Sequence, residues 1–119
     1  VSLLAYSPLG QGFLTGKYLG GARPAGARNT LFERGQRYQG PNAEEAITAY
    51  VELARELGVT PATLALAFVA SRSFTGSAII GATTMAQLAE DVAAFDFTIT
   101  PEIAAKIDAI HLRRPNPCP

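Results

Sequence analysis

Two short stretches concentrate the residues that can handle an anion. The first is Ala5-Tyr6-Ser7-Pro8-Leu9-Gly10-Gln11-Gly12-Phe13-Leu14-Thr15-Gly16-Lys17-Tyr18, which follows the apolar run Val1-Ser2-Leu3-Leu4. The second is Gly81-Ala82-Thr83-Thr84, which follows Ser77-Ala78-Ile79-Ile80. Glycine lets a backbone approach a bulky group and enter conformations closed to other residues. A strand end that leads into a helix start offers free amides and the positive end of the dipole to an anion. Lys17, Arg28 and Arg23 can add charge, and Tyr6 can offer a ring face for stacking. Two such ends from adjacent strands can hold the two phosphate regions of one dinucleotide. Plainer readings compete at each position. Ser7-Pro8 can be a strand terminator, Thr84 and Gln87 can be only a helix capping box, and Lys17 and Arg28 can be solvated. No GxGxxG follows a strand, no GxxxxGK[ST] is present, and Gly10-Gln11-Gly12 does not complete a dinucleotide fingerprint. One histidine, His111, and one cysteine, Cys118, make a metal site improbable.

The elements that position these stretches alternate in type. The run at 1–6 reads as a buried strand closed by Pro8. Residues 19–41 hold Gly20, Gly21, Pro24, Gly26, Gly35, Gly40 and Pro41 and read as a long loop, with Leu31, Phe32 and Tyr38 as its anchors. Asn42, with Glu45 three residues on, predicts a helix start. That helix buries Ala43, Ala46, Ile47, Tyr50, Leu53, Ala54 and Leu57 on one face and ends at Gly58. Thr60-Pro61 starts a second helix that is apolar all round, hence buried on most sides. A second strand is expected at 77–81, a helix at 84–95 capped by Thr84 and Gln87, and a last helix from Thr100-Pro101 with Ile103, Ile107 and Ile110 inward. The tail from Arg113 is expected to be irregular. Strands alternating with helices predict α/β architecture with parallel strands. Two strands cannot cover so many apolar helix faces, so oligomerisation or a missing part of the sheet is expected.

The totals exclude several classes. The chain has 119 residues, 48% hydrophobic, enough for one modest core. Ten basic and ten acidic side chains cancel, which gives no electrostatic reason for a nucleic-acid or membrane partner. A single cysteine cannot form an intrachain disulfide. No run approaches the roughly 20 apolar residues of a membrane span. The expectation is a soluble cytoplasmic protein, and the first apolar strand, beginning at Val1, suggests a fragment of a longer chain.

The first stretch resembles the seventh-strand segment of the aldo-keto reductases. Ser77-Ala78-Ile79-Ile80-Gly81-Ala82-Thr83-Thr84-Met85-Ala86-Gln87-Leu88 is similar to their eighth-strand segment and following helix, and the region between, with Leu57-Gly58-Val59-Thr60-Pro61, to their helical pair. The branch is that of Tas-like bacterial reductases and the beta subunits of voltage-gated potassium channels. The resemblance implies the C-terminal portion of a (β/α)8 TIM barrel over residues 1–119: strands 7 and 8, their helices and the long intervening loop. It implies NADPH as cofactor and, in the full-length parent, a small aldehyde or ketone as substrate. By resemblance Tyr6 stacks on the nicotinamide, Ser7, Leu9 and Gln11 line the pyrophosphate, and Pro8 between them also falls among the cofactor-binding residues. Lys17 and Arg28 fall at cofactor-loop cations. Gly81, Thr83 and Gln87 fall at the 2′-phosphate and ribose, and Glu90 and Asp91 at the adenine edge. Many members carry asparagine where Asp91 stands and arginine where Gln87 stands, which weakens the implied preference for NADPH over NADH. The family's catalytic aspartate, tyrosine, lysine and histidine lie in the first half of the barrel. Tyr6, Tyr18, Tyr38, Tyr50 and His111 match none of them, so the chain alone is expected to be inactive and to self-associate. The alternative expectation is a non-catalytic interaction module that pairs with another chain.

Overall fold

A computed structural model describes all 119 residues. Two parallel strands, β1 (Leu3–Tyr6) and β2 (Thr75–Ile79), make the sheet. The connection between them holds 3-10 turns at Gly10–Thr15 and Leu19–Gly21, the short helix α1 (Arg28–Phe32), a further 3-10 turn at Gln36–Tyr38, and the helices α2 (Pro41–Glu56) and α3 (Pro61–Ala70). After β2 come α4 (Met85–Ala93), a 3-10 turn at Ala94–Asp96 and α5 (Pro101–Arg113).

β2 begins two residues before the expected start. The Thr75 N–H is held by the Arg72 carbonyl at 2.9 Å and the Leu3 N–H by the Phe74 carbonyl at 2.8 Å, so pairing starts as soon as α3 ends. Leu3 then pairs with Thr75 and Leu4 with Ser77, which leaves Gly76 as the extra residue of a bulge. A Cβ at 76 would stand 2.4 Å from the Ser2 hydroxyl, so the position requires glycine. Beyond the bulge Ala5 pairs with Ala78 and Tyr6 with Ile79.

Three helices start as their sequences predict. Thr60, Thr84 and Thr100 each accept a hydrogen bond from the N–H three residues on, at 3.1, 3.2 and 3.3 Å. α2 corrects the expectation. Its cap is Gly40 and its first residue Pro41, so Asn42 lies inside the helix and caps nothing. Proline at the first helical position has the right φ and no N–H to satisfy, which fixes the start two residues early. Gly58 takes a φ of +70°, the left-handed conformation that ends α2.

The larger core joins Leu53 and Ala54 of α2, Leu64 of α3 and Ile103, Ile107 and Ile110 of α5. α3 packs against α2, α4, β2 and the turn at Gly10–Thr15, and its Leu66 is fully buried. This is the environment its uniform hydrophobicity demands. A second cluster, Phe13, Tyr18 and Ile47 with Tyr38 and Val51 beside it, pins the long loop to α2. The Phe13 ring centroid lies 4.6 Å from that of Tyr18 and 5.3 Å from that of Tyr38. Of the expected anchors only Tyr38 serves; Leu31 and Phe32 are exposed. Polar contacts add to that apolar anchoring. The Asn29 N–H donates to the Tyr18 hydroxyl at 3.0 Å, and the Gly35 N–H donates to Asn29 Oδ1 at 2.9 Å.

Other apolar surface is uncovered. Leu4, Tyr6 and Ile79 of the sheet are exposed, as is the stripe Met85, Leu88, Val92 and Phe95 along and just past α4. No single helix is long and apolar enough to cross a membrane.

Gly35 makes the loop's knot testable. A Cβ there would stand 2.2 Å from Phe13 Cε2. Gly35→Ala is expected to destabilise the fold by about 1–3 kcal/mol through overpacking. Urea unfolding measures this; an unchanged midpoint would show that the loop does not pack on Phe13.

Candidate functional site

The Tyr6 to Lys17 stretch is a tight turn held in unusual backbone. Ser7 and Gln11 take φ of 57° and 56°, and Gly10 and Gly12 take 54° and 92°. For a side-chain-bearing residue this region costs on the order of 1–2 kcal/mol. The turn sustains it by closing on itself. The Gly10 N–H donates to the Ser7 carbonyl at 2.9 Å, and the Gly12 and Leu14 N–H groups both donate to the Leu9 carbonyl, at 3.0 and 3.1 Å. Tyr6 at the strand tip is 77% exposed, so its ring is open to a stacking partner. Pro8, Leu9 and Gln11 are half-buried beside it. The Lys17 stem lies over Gly12, where a Cβ would meet its Cε at 3.0 Å, and its Nζ stands 5.3 Å from the Tyr18 ring centroid.

Gly81 and Thr83, both exposed, lead into α4. Thr84 caps the helix by accepting from the Gln87 N–H. The Gln87 side chain reaches back one residue further than a capping box requires. Its Oε1 accepts from both the Thr83 N–H and the Thr83 hydroxyl, each at 2.9 Å. Two donors therefore converge on one oxygen in the segment between β2 and α4. One turn on, Glu90 is half-buried and Asp91 is 4% exposed. Burial, and secondarily the charge of Glu90, raises the Asp91 carboxyl above its ordinary pKa.

The strand register brings these two groups together. Tyr6 pairs with Ile79, so the turn after β1 and the segment leading to α4 leave the same end of the sheet side by side. Arg28 is the first residue of α1, exposed, on a helix that packs against the Gly10–Thr15 turn. Arg23 is not a free cation, because it pairs with Glu33 at 2.9 Å. The residues that order this region, Asn29 and Gly35, carried no local signal; only the partners that the fold supplies reveal them.

A parallel strand pair joined by a long crossover with helices defines an α/β protein, and the loops at the C-terminal end of that pair carry small and hydroxyl-bearing residues. The sequence profile described as the Aldo/keto reductase family matches residues 1–112, and the chain belongs to that family. It is 50% identical to Protein tas of Escherichia coli K12 over all 119 residues, which are 34% of that protein. It is 36% identical to a Schizosaccharomyces pombe protein named for a voltage-gated potassium channel beta subunit, over 88% of this chain and 32% of the relative. It is 32% identical to L-glyceraldehyde 3-phosphate reductase of Escherichia coli O157:H7, over 91% of this chain and 33% of that enzyme. The chain thus spans about a third of the length of these relatives.

Asp91 gives the site a pH signature. A carboxyl raised by folding keeps its proton where the unfolded chain has lost it. Stability therefore falls as pH rises from the ordinary aspartate value of 3.8 through the raised folded value. Asp91→Asn is expected to stabilise the protein at pH 7 and to lose that advantage as the pH falls below the ordinary value. Thermal melts of both proteins across the acid range measure it; a constant difference would remove burial as the cause.

Proposed function

We propose that this chain is the C-terminal, cofactor-binding part of an NADPH-dependent aldo-keto reductase that reduces an aldehyde or ketone. The observation that carries the reading is the parallel pairing of β1 and β2, which sets the turn after Tyr6 beside the approach to α4 in a chain of this family. The donor set suits a dinucleotide. The Thr83 N–H and hydroxyl converge on a single acceptor oxygen, the arrangement a phosphate or ribose oxygen needs. The exposed Tyr6 ring suits stacking on a flat heterocycle, and the glycines of the turn permit close backbone approach.

The bound cofactor would supply the hydride; the residues here bind and orient. Tyr6 would fix the plane of the reactive ring. Ser7, Pro8, Leu9 and Gln11 would line the pyrophosphate, with Lys17 at the edge of the turn. Gly81, Thr83 and Gln87 would hold the 2′-phosphate and ribose, and Glu90 and Asp91 the adenine. An aspartate there accepts from the adenine amino group but, when ionised, cannot donate. Thr83 and Gln87 are neutral and cannot offset the roughly two negative charges of a phosphomonoester. That falls to a cation, and Arg28, whose guanidinium can grip phosphate in two places, is the choice. This chain holds no assigned proton donor for a developing alkoxide, so by itself it is inactive in this reading.

The uncovered sheet and the stripe Met85, Leu88, Val92 and Phe95 favour a second reading, an interaction module that pairs through these faces. The two separate in one experiment. The chain replaces the aligned third of Escherichia coli Protein tas, and NADPH and NADH titrations follow. The graft is expected to bind NADPH. Arg28→Ala is expected to weaken NADPH by about one to two powers of ten, since hydrogen bonds to a charged group contribute roughly 1.5–3 kcal/mol. NADH should change little. Absence of NADPH binding in the graft would overturn the cofactor reading, and equal losses for both cofactors would move Arg28 away from the 2′-phosphate. The free chain is expected to self-associate in sedimentation and to oxidise no NADPH with aldehydes; a dilute, cooperative monomer would contradict this.

A further inference from the structure

We propose that the tail after α5 is a clasp that holds the Gly10–Thr15 turn in place from the opposite end of the chain. Two anchors seat it. At its root, the Arg114 guanidinium pairs with the Glu45 carboxylate of α2 through Nε at 2.7 Å and through Nη2. At its far end, Arg37 Nη2 donates to the Cys118 carbonyl at 3.2 Å. The same Arg37 guanidinium lies 5.9 Å from the Tyr38 ring centroid. Tyr38 touches the turn directly: its ring is 5.3 Å from that of Phe13, and its Cε1 would be 3.5 Å from a Cβ on Gly10. A contiguous path thus runs from Cys118 through Arg37 and Tyr38 to Gly10 and Phe13. Pro115, Pro117 and Pro119 restrict the tail before it docks, which lowers the entropy lost when it is ordered. The strained φ values at Ser7 and Gln11 are what such a restraint would help sustain.

The inference rests on the cofactor reading only for its consequence; the restraint itself is read without any ligand. Amide exchange is followed at Gly12, Leu14 and Gly16, whose N–H groups are bonded within the turn. The full 119-residue chain and the graft are both measured. Arg37→Ala is expected to speed exchange there by about two- to fivefold, the range an exposed polar contact supports. Arg34→Ala, in the same loop but stacked on Phe32, is expected to leave it unchanged. Ending the chain after Arg113 is expected to reproduce the Arg37→Ala effect, and Arg37→Ala in that shortened chain to add nothing. A further full increase in the shortened chain would overturn the clasp, because Arg37 would then act through Tyr38 alone. Unchanged exchange in both variants would overturn it as well. If the turn lines the cofactor, the same variants raise the NADPH dissociation rate of the graft. Faster exchange in a graft that binds no NADPH would uphold the clasp and remove the cofactor reading instead.

Discussion

The pairing of β1 with β2 is the constraint on which the rest of the molecule depends. The strands are far apart in sequence, yet their parallel register leaves no freedom in where their ends emerge. Slipping by one residue would turn every side chain to the other face. The bulge at Gly76 takes up the one mismatch at the start of the ladder, so that Tyr6 and Ile79 finish level. A parallel pair needs a long crossover, and here that crossover contains both the loop and the helices α2 and α3. α3 lies against β2 and against the turn after β1, and so braces the sheet and the site at once.

A second level of order sits on that frame. The loop between the turn at Gly10–Thr15 and α2 lacks a conventional core of its own. It is tied by a side-chain amide: Asn29 accepts from Gly35 while its own backbone donates to Tyr18. A buried amide is costly to leave unsatisfied, so such a knot specifies one conformation more sharply than apolar contacts would. Arg28, next to Asn29, inherits its position from the knot.

What was legible in the sequence was what is local. Thr60, Thr84 and Thr100 cap helices because the cap and its partner amide lie three residues apart, and Gly58 ends α2 because its φ is its own affair. The motif pair at the two strand ends was readable for the same reason, together with its family. At Asn42 two local signals compete, and Pro41 prevails. The start of β2 escapes hydropathy because it is set by the hydrogen bonds of Thr75 to the Arg72 carbonyl and of Leu3 to the Phe74 carbonyl. Leu31 and Phe32 read as anchors from composition, but a five-residue helix presents them to solvent while Phe13 and Tyr18 do the anchoring. Gln87 read as a capping-box partner of Thr84, and its side chain instead chose Thr83. Such choices are made by geometry among neighbours and leave no pattern in spacing.

That choice by Gln87 changes what it means to arrive at this corner of the molecule. The Thr83 donors are already occupied by an oxygen the chain carries itself. In the cofactor reading proposed above, an oxygen of the ligand would trade places with that internal solute, and the tally of hydrogen bonds at Thr83 would be the same before and after. Discrimination between ligands would then rest on what the amide oxygen lacks, a full negative charge and a rigid attachment to the rest of a larger molecule.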